Sequence, residues 1–337
     1  MEMTANDSGD GSIFYHYELY PEKIKEYGNV KRIYTRQGEF ALKESSLQQE
    51  EADWLIHVVR RLNRLGYRNL VPIIPTKYGE YTLSTDTHTY YLMPWIHQDE
   101  NRGDMPMERV IVEQMGEIHR LTVKSQAYER EDIDQSYQSL LTRWERRKRD
   151  LEQFAEQAEG KVYISPFELT LLTHHHFLNA MIETAKTHLK TWYDQCIEKE
   201  KYRSVLCHGK LSRQHLLLYQ NNQPLLFNFE RATLDTPARD LALFYRYSLP
   251  YAKWDEEEIL NWYGIYNQQL PLLEEERHLL ASYLSFPEPI LYAIDSYRQQ
   301  PLNMTELAHV QRLEKRLLMQ RRIHRMTNAI VAKNDGQ

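Results

Sequence analysis

The 337-residue chain predicts an α+β fold in two parts, a small antiparallel-sheet lobe carrying one helix and then a large, mainly helical lobe. Three observations predict it. Strand-like runs crowd residues 28–93, helical periodicity dominates after Pro94, and one hairpin-like stretch, VLCHGKLSRQHLLLYQNNQPLLFNFERA at 205–232, interrupts the helices. The expected division is therefore an N-terminal segment (1–27), a sheet lobe (28–93) and a helical lobe (94–337) that contains the hairpin.

Taken in order, MEMTANDSGDGS reads as a disordered start, and residues 13–27 read as a short helix ending near Gly28. NVKRIYTRQGEFALKES alternates as two strands around a Gln37-Gly38 turn, the second carrying Lys43. LQQEEADWLIHVVRRLNRLG sets Leu47, Glu51, Leu55, Val58, Leu62 and Leu65 on one helical stripe, with Gly66 as its stop. Glu51 thereby falls on the buried side, where a lone carboxylate is costly. NLVPIIPT, GEYTLST and HTYYLMPWI follow as strand-like runs.

Past Pro94, MERVIVEQMGEIHRLTV, QSYQSLLTRWERRKRDLEQFAEQAEG and the long segment opened by Ser165-Pro166 have helical periodicity. From Pro237 the chain is helical again and ends in a basic helix around HVQRLEKRLLMQRRIHRMTNAIVA. There is no internal repeat.

Composition excludes several functions. The 42 basic and 48 acidic residues give a net charge of −6 with both signs scattered, so no nucleic-acid or membrane-surface partner is expected. No apolar run approaches the ~18 residues of a membrane span, and the N-terminus lacks the order of a secretory signal. Two cysteines, Cys196 and Cys207, make neither a disulfide framework nor metal-ligand couplets, which fits synthesis in a reducing cytoplasm. The 12 glycines never take the spacing of a glycine-built phosphate cradle. The 24 tyrosines read as amphipathic edges of the core.

The run His174-His175-His176 does not read as zinc ligands, because neighbours on a helix point about 100° apart. No metal site is expected. RRKR at 146–149 and RRIHR at 321–325 read as solvated helix faces, with a partner-binding face on the last helix as the alternative.

The order of a lysine in FALKE, a helix with a carboxylate, the strand-to-linker YYLMPW, the helix MGEIHRLT, a loop opening HG, a hairpin and then PARDLA resembles the aminoglycoside phosphotransferase and choline kinase-like group over roughly residues 28–300. That resemblance implies a bilobal, protein kinase-like fold. Within the group, NVKRIYTRQGEFALK and YYLMPWI are most similar to the kinase-like spore-coat proteins of endospore-forming bacteria, the YsxE branch. This implies sporulation, a place in the spore coat, and other coat proteins as partners.

In working members of the group the loop reads H-G-D-x-x-x-x-N and the hairpin ends in I-D-F or I-D-W followed by an acidic residue. The loop aspartate orients the substrate hydroxyl, while the asparagine and the hairpin aspartate hold Mg²⁺. Here His208 and Gly209 match, but those three positions hold Lys210, His215 and Asn228. A charged lysine offers no lone pair to act as base, and imidazole and amide are poor substitutes for hard oxygen ligands.

By the same resemblance, Glu230 keeps an acidic place after the hairpin, and Asp235, Asp240 and His208 are scaffold positions. Lys43 is expected to pair with Glu51, or with Glu50 if the helix is rotated. A residual nucleotide site would use Lys43, Glu51, Leu92, Met93 and Glu230, with ATP weakly assisted by Mg²⁺, whereas an inherited ion pair that only shapes the small lobe would need no cofactor. The expectation is a catalytically inactive pseudokinase with a structural or interaction role and no confident catalytic residue. The alternative is an active or nucleotide-sensing small-molecule phosphotransferase with substituted chemistry.

Overall fold

The computed structural model describes residues 2–3, 11–98, 106–199, 201–299 and 304–332. In chain order it contains β1 (Glu2–Met3), α1 (Gly11–His16), β2 (Lys23–Tyr27), β3 (Val30–Thr35), β4 (Gly38–Ser45), α2 (Gln49–Arg64), β5 (Leu83–Ser84), β6 (Thr89–Pro94), α3 (Met107–Thr122), β7 (Lys124–Ala127), α4 (Arg130–Glu159) and α5 (Pro166–Cys196). Then come β8 (Lys201–Cys207), β9 (Leu216–Tyr219), β10 (Gln223–Leu226), β11 (Thr233–Asp235), α6 (Pro237–Ser248), α7 (Glu256–Gln269), α8 (Glu274–Ser285), α9 (Glu288–Gln299) and α10 (Glu306–Ala332). They form two compact units, 1–114 with 211–233, and 115–210 with 234–337.

The first unit is built on a six-stranded antiparallel sheet of order β1-β2-β3-β4-β6-β5. Alternation sends Ile24, Ile33, Leu42 and Leu92 to one face, where Phe14 and Tyr17 cover them. Lys43 opposes Tyr91 and Ala41 opposes Met93 on the other face. Residues 13–27 are not one helix: α1 stops at His16, and Lys23–Tyr27 pairs with β3. Pro21 cannot donate the helical hydrogen bond, and Gly28, at φ +62°, makes the turn that closes the β2–β3 hairpin. Of the expected disordered start, residues 4–10 lie outside the described residues, while Glu2 and Met3 pair with β2.

The hairpin β9–β10, assigned from sequence to the helical lobe, packs in this first unit. Leu226 bridges Leu70 in parallel, with Val71 N–H donating to the Leu226 carbonyl at 2.9 Å. Of the runs at 69–76 and 79–85, only isolated bridges and the two-residue β5 are strand.

The second unit is helical around a three-stranded sheet of order β11-β8-β7. Its helices start and stop as the sequence predicts where caps are strong: Ser165 and Glu168 form a capping box with Pro166 at the first turn of α5. Both basic runs present solvated faces, with Arg146, Arg149, Arg321 and Arg325 exposed, while some of their side chains also reach neighbouring groups. Arg147 binds Asp295 with both nitrogens, at 3.2 and 2.8 Å, and Arg321 and Arg322 lie over the rings of Phe177 and Trp254. Among the described residues no helix is long and apolar enough to cross a membrane.

Candidate functional site

The site in the first unit is assembled around one ammonium. β4 carries Lys43 on the sheet face opposite the apolar core, and its side chain is 10% exposed. Its Nζ donates to Asn228 Oδ1 at 2.6 Å and lies 2.8 Å from Glu230 Oε1. Tyr91, across the β4–β6 ladder from Lys43, donates its hydroxyl to the same Glu230 oxygen at 2.9 Å.

Asn228 and Glu230 are delivered by the turn that follows β10. Asn228 adopts the left-handed conformation, φ +67° and ψ 51°, which asparagine tolerates better than most residues and which starts the short 3₁₀ turn Phe229–Arg231. That turn is anchored to α2, since Trp54 Nε1 donates to the Ala232 carbonyl at 2.7 Å. The position of the Glu230 carboxylate is therefore set by packing rather than by the ion pair alone.

Electrostatics favour a closed cluster. Burial pushes the Glu230 carboxyl up, but the bond and charge of Lys43, with help from Tyr91 and Ser45, bring it to a net value below the usual carboxylate range. Burial, and then the negative charge of Glu230, holds the Tyr91 phenol well above its ordinary value. The unfolded chain takes up the Glu230 proton near 4.5, and the folded chain only at lower pH. The stability this group supplies is thus present above about pH 4.5 and lost as pH falls below it. Urea unfolding from pH 7 to 3.5 is expected to show the difference between wild type and Glu230→Gln shrinking through that window; a constant difference would refute it.

Glu51 does not meet Lys43. α2 buries Ala52, Leu55, Val58 and Leu62, so its inner stripe is turned away from Glu51, which is exposed. The Glu51 carboxylate instead accepts from Gln48 N–H at 2.9 Å, capping the helix start. Glu50 is exposed as well. Leu92 lies in the apolar core with its carbonyl already accepting from Ile74 N–H at 2.8 Å, and Met93 is buried beside Ala41. His215 is buried in the 3₁₀ turn Arg213–His215, its Nδ1 3.1 Å from Ser212 Oγ.

These donors do not suit a magnesium–nucleotide complex. Mg²⁺ asks for an octahedron of hard, preferably anionic oxygens. The first unit offers one carboxylate and one amide oxygen here, and both are turned onto a cation that the chain itself supplies. The turn of the β2–β3 hairpin, Gly28-Asn29, is likewise too short to wrap a phosphate, and Asn29 is tied to Glu44 through two backbone carbonyls.

The second unit holds the loop start. Asp240, at the beginning of α6, accepts from His208 N–H at 2.7 Å and Gly209 N–H at 2.8 Å, and its Oδ2 lies 3.3 Å from His119 Nε2. His119 Nδ1 is 2.8 Å from the Tyr266 hydroxyl. Burial pushes the Asp240 carboxyl up, yet His119 and the Gly209 N–H hold it below its ordinary value. Asp235 caps locally, through Thr236 N–H at 2.7 Å, and pairs with Arg239. Lys210 is half-buried.

His119, Cys207 and Asp240 bring their ligand atoms within 4.8 Å of one another. All three are buried and engaged, Cys207 Sγ with the Thr236 carbonyl, so the group reads as scaffold. Sequence reasoning missed His119 and Tyr91 as members of these clusters, though both lie in runs that carry the family resemblance, MGEIHRLT and YYLMPW. Tyr266 carried no signal.

The fold these units share is that of the aminoglycoside phosphotransferase-like enzymes. An aminoglycoside phosphotransferase from Alicyclobacillus acidocaldarius superposes with a TM-score of 0.77 at 16% identity, over 96% of this chain and 95% of that one. A spectinomycin phosphotransferase in complex with ADP and spectinomycin gives 0.60 at 12% identity over 95% and 96%, and a microcompartment-associated aminopropanol kinase 0.57 at 10% over 96% of each. Within that class, residues 10–330 match the family described as "Spore coat putative kinase YutH", and the chain belongs to it. The resemblance to kinase-like spore-coat proteins thus holds, with YutH rather than YsxE as the matching branch. No curated protein sequence matches the chain.

Proposed function

We propose that this protein is a pseudokinase of the spore coat, retaining the kinase-like frame as a structural or interaction component and carrying out no phosphoryl transfer. The observation that carries the reading is the closed cation site: the Lys43 ammonium sits on Asn228, at the place the resemblance gives to the hairpin aspartate, and on Glu230, the acidic residue that follows it. A phosphate seeking Lys43 must displace a buried ion pair and face the uncompensated Glu230 charge. The substitutions at Lys210 and His215 support the same reading, since neither side chain supplies a carboxylate or amide oxygen. Placement in the coat, beside other coat proteins, rests on the family.

Thermal unfolding with millimolar ATP, with and without Mg²⁺, tests this. The midpoint is expected to stay unchanged, because a ligand stabilises only in proportion to its occupancy of the folded state. A Mg²⁺-dependent rise would show that the metal–nucleotide complex binds, and ATP turnover that disappears in Lys43→Met would establish a working phosphotransferase. A rise without metal would instead indicate nucleotide sensing.

A further inference from the structure

The first unit carries an open cleft of about 1220 Å³ between α1, the outer face of α2 and residues 79–85. Its lining is apolar at Ile13, Ile56 and Leu83, and the exposed Arg60 and Arg64 stand at the C-terminal end of its α2 wall. The Arg60 guanidinium lies 4.5 Å from the centroid of the Tyr81 ring on the opposite wall. Two carboxylates share the lining: Asp53, which accepts from Gln49 Nε2 at 3.0 Å, and Glu80. The second unit carries a feature of the opposite shape. In the turn between α4 and α5, Val162 and Tyr163 are 88% and 90% exposed and Ile164 is 41% exposed. Three large apolar side chains in succession on a surface mark a contact site or an aggregation hazard. The last turn of α4, which leads into them, exposes Glu156 and Glu159, while the one basic residue beside them, Lys161, is tied to Glu168 at 2.5 Å.

We propose that the cleft of one copy receives the Val162–Ile164 knuckle of a second copy, with Tyr163 as its anchor. Apolar side chains of the knuckle leave water against Ile13, Ile56 and Leu83, and an aromatic ring seated in a pocket carries much of such a contact's energy. The acidic end of α4 comes against Arg60 and Arg64, so the charges match and fix the direction of docking. The dimensions agree. Three residues span about 10 Å at most, and the α2 wall from Gln49 to Arg64 is about 22 Å long, which leaves room for the end of α4 beside the knuckle. Because the two faces differ, each contact leaves a free knuckle on one copy and a free cleft on the other, and association is head-to-tail. Neither face includes Lys43, Asn228 or Glu230, so the contact holds whether or not the chain transfers phosphate.

Sedimentation velocity of the full chain at rising concentration tests this. Species growing past a dimer are expected, and added salt should weaken them. Tyr163→Asp removes the knuckle and Arg60→Glu with Arg64→Glu reverses the cleft's charge, all at exposed positions, and each change should weaken association about tenfold or more. Val162→Lys replaces Tyr163→Asp should circular dichroism show that variant unfolded. The decisive step mixes the two kinds of variant. A chain with only its cleft intact and a chain with only its knuckle intact should form a one-to-one pair that grows no further. A wild-type chain that stays monomeric, association that neither variant weakens, or variants that fail to pair when mixed each overturn the proposal; the first leaves the cleft to a different protein or to none.

Discussion

Asp240→Ala is expected to cost the second unit about 3–5 kcal/mol, the range for removing one partner from a buried charged cluster. The carboxylate is 1% exposed and serves three groups at once, the N–H of His208, the N–H of Gly209 and the ring of His119. Alanine would leave two backbone donors without their acceptor, and Gly209, at φ +78°, would lose what fixes its unusual conformation. Asp240→Asn should fall between, since its single acceptor oxygen cannot serve both N–H groups and the imidazole. Asp235→Ala is the matched control. Its partner Arg239 is half exposed, so the loss there should be about 1 kcal/mol or less. Urea midpoints measured on the three variants check the order, and an Asp240→Ala protein as stable as Asp235→Ala would remove the scaffold role.

The sequence was most informative where signals are local. The β3–β4 turn, the Gly66 stop and the Ser165-Pro166 helix start each depend on residues within one turn of each other, and all three formed, the first at Arg36-Gln37, one residue earlier than the sequence predicts, with Gly38 opening β4. The helix assigned to 13–27 failed because KIKEY presents a single buried residue, Ile24, too little to separate a strand from a helix by period. What decides that segment is its partner β3, reached through a glycine with positive φ. The Lys43–Glu51 pairing failed for a similar reason. A stripe through Leu55, Val58 and Leu62 fixes the face of α2 only to within one residue, and the burial of Ala52 moves Glu51 outside it. The actual partner of Lys43 comes from a turn 185 residues away, at Asn228, and from Glu230 two residues further on. No periodicity reports such a distance; the motif order that pointed to the fold also identified those positions, Asn228 as vacated chemistry and Glu230 as a retained acidic place, but neither as a direct partner of Lys43.

That cation site makes the largest prediction for the first unit. Glu230→Ala should cost about 2–4 kcal/mol, because it leaves a lysine side chain that is 10% exposed with one neutral acceptor and strips Tyr91 of its hydrogen-bond acceptor. Lys43→Met fills the stem volume but leaves Glu230 as the uncompensated charge, and should cost a similar amount. Lys43→Met with Glu230→Gln removes both charges and preserves an oxygen for the Tyr91 hydroxyl. With Glu230→Gln as the matching single variant, the double variant should be more stable than the sum of the Lys43→Met and Glu230→Gln losses by about 1–3 kcal/mol, the range for contacting residues in one network. Strict additivity would mean that the ion pair contributes nothing. The cycle also separates the two readings of Lys43. A lysine kept for phosphate gives a variant whose stability barely changes while nucleotide response is lost; a lysine serving as the chain's own cation gives a large stability loss in a protein that never responded to nucleotide.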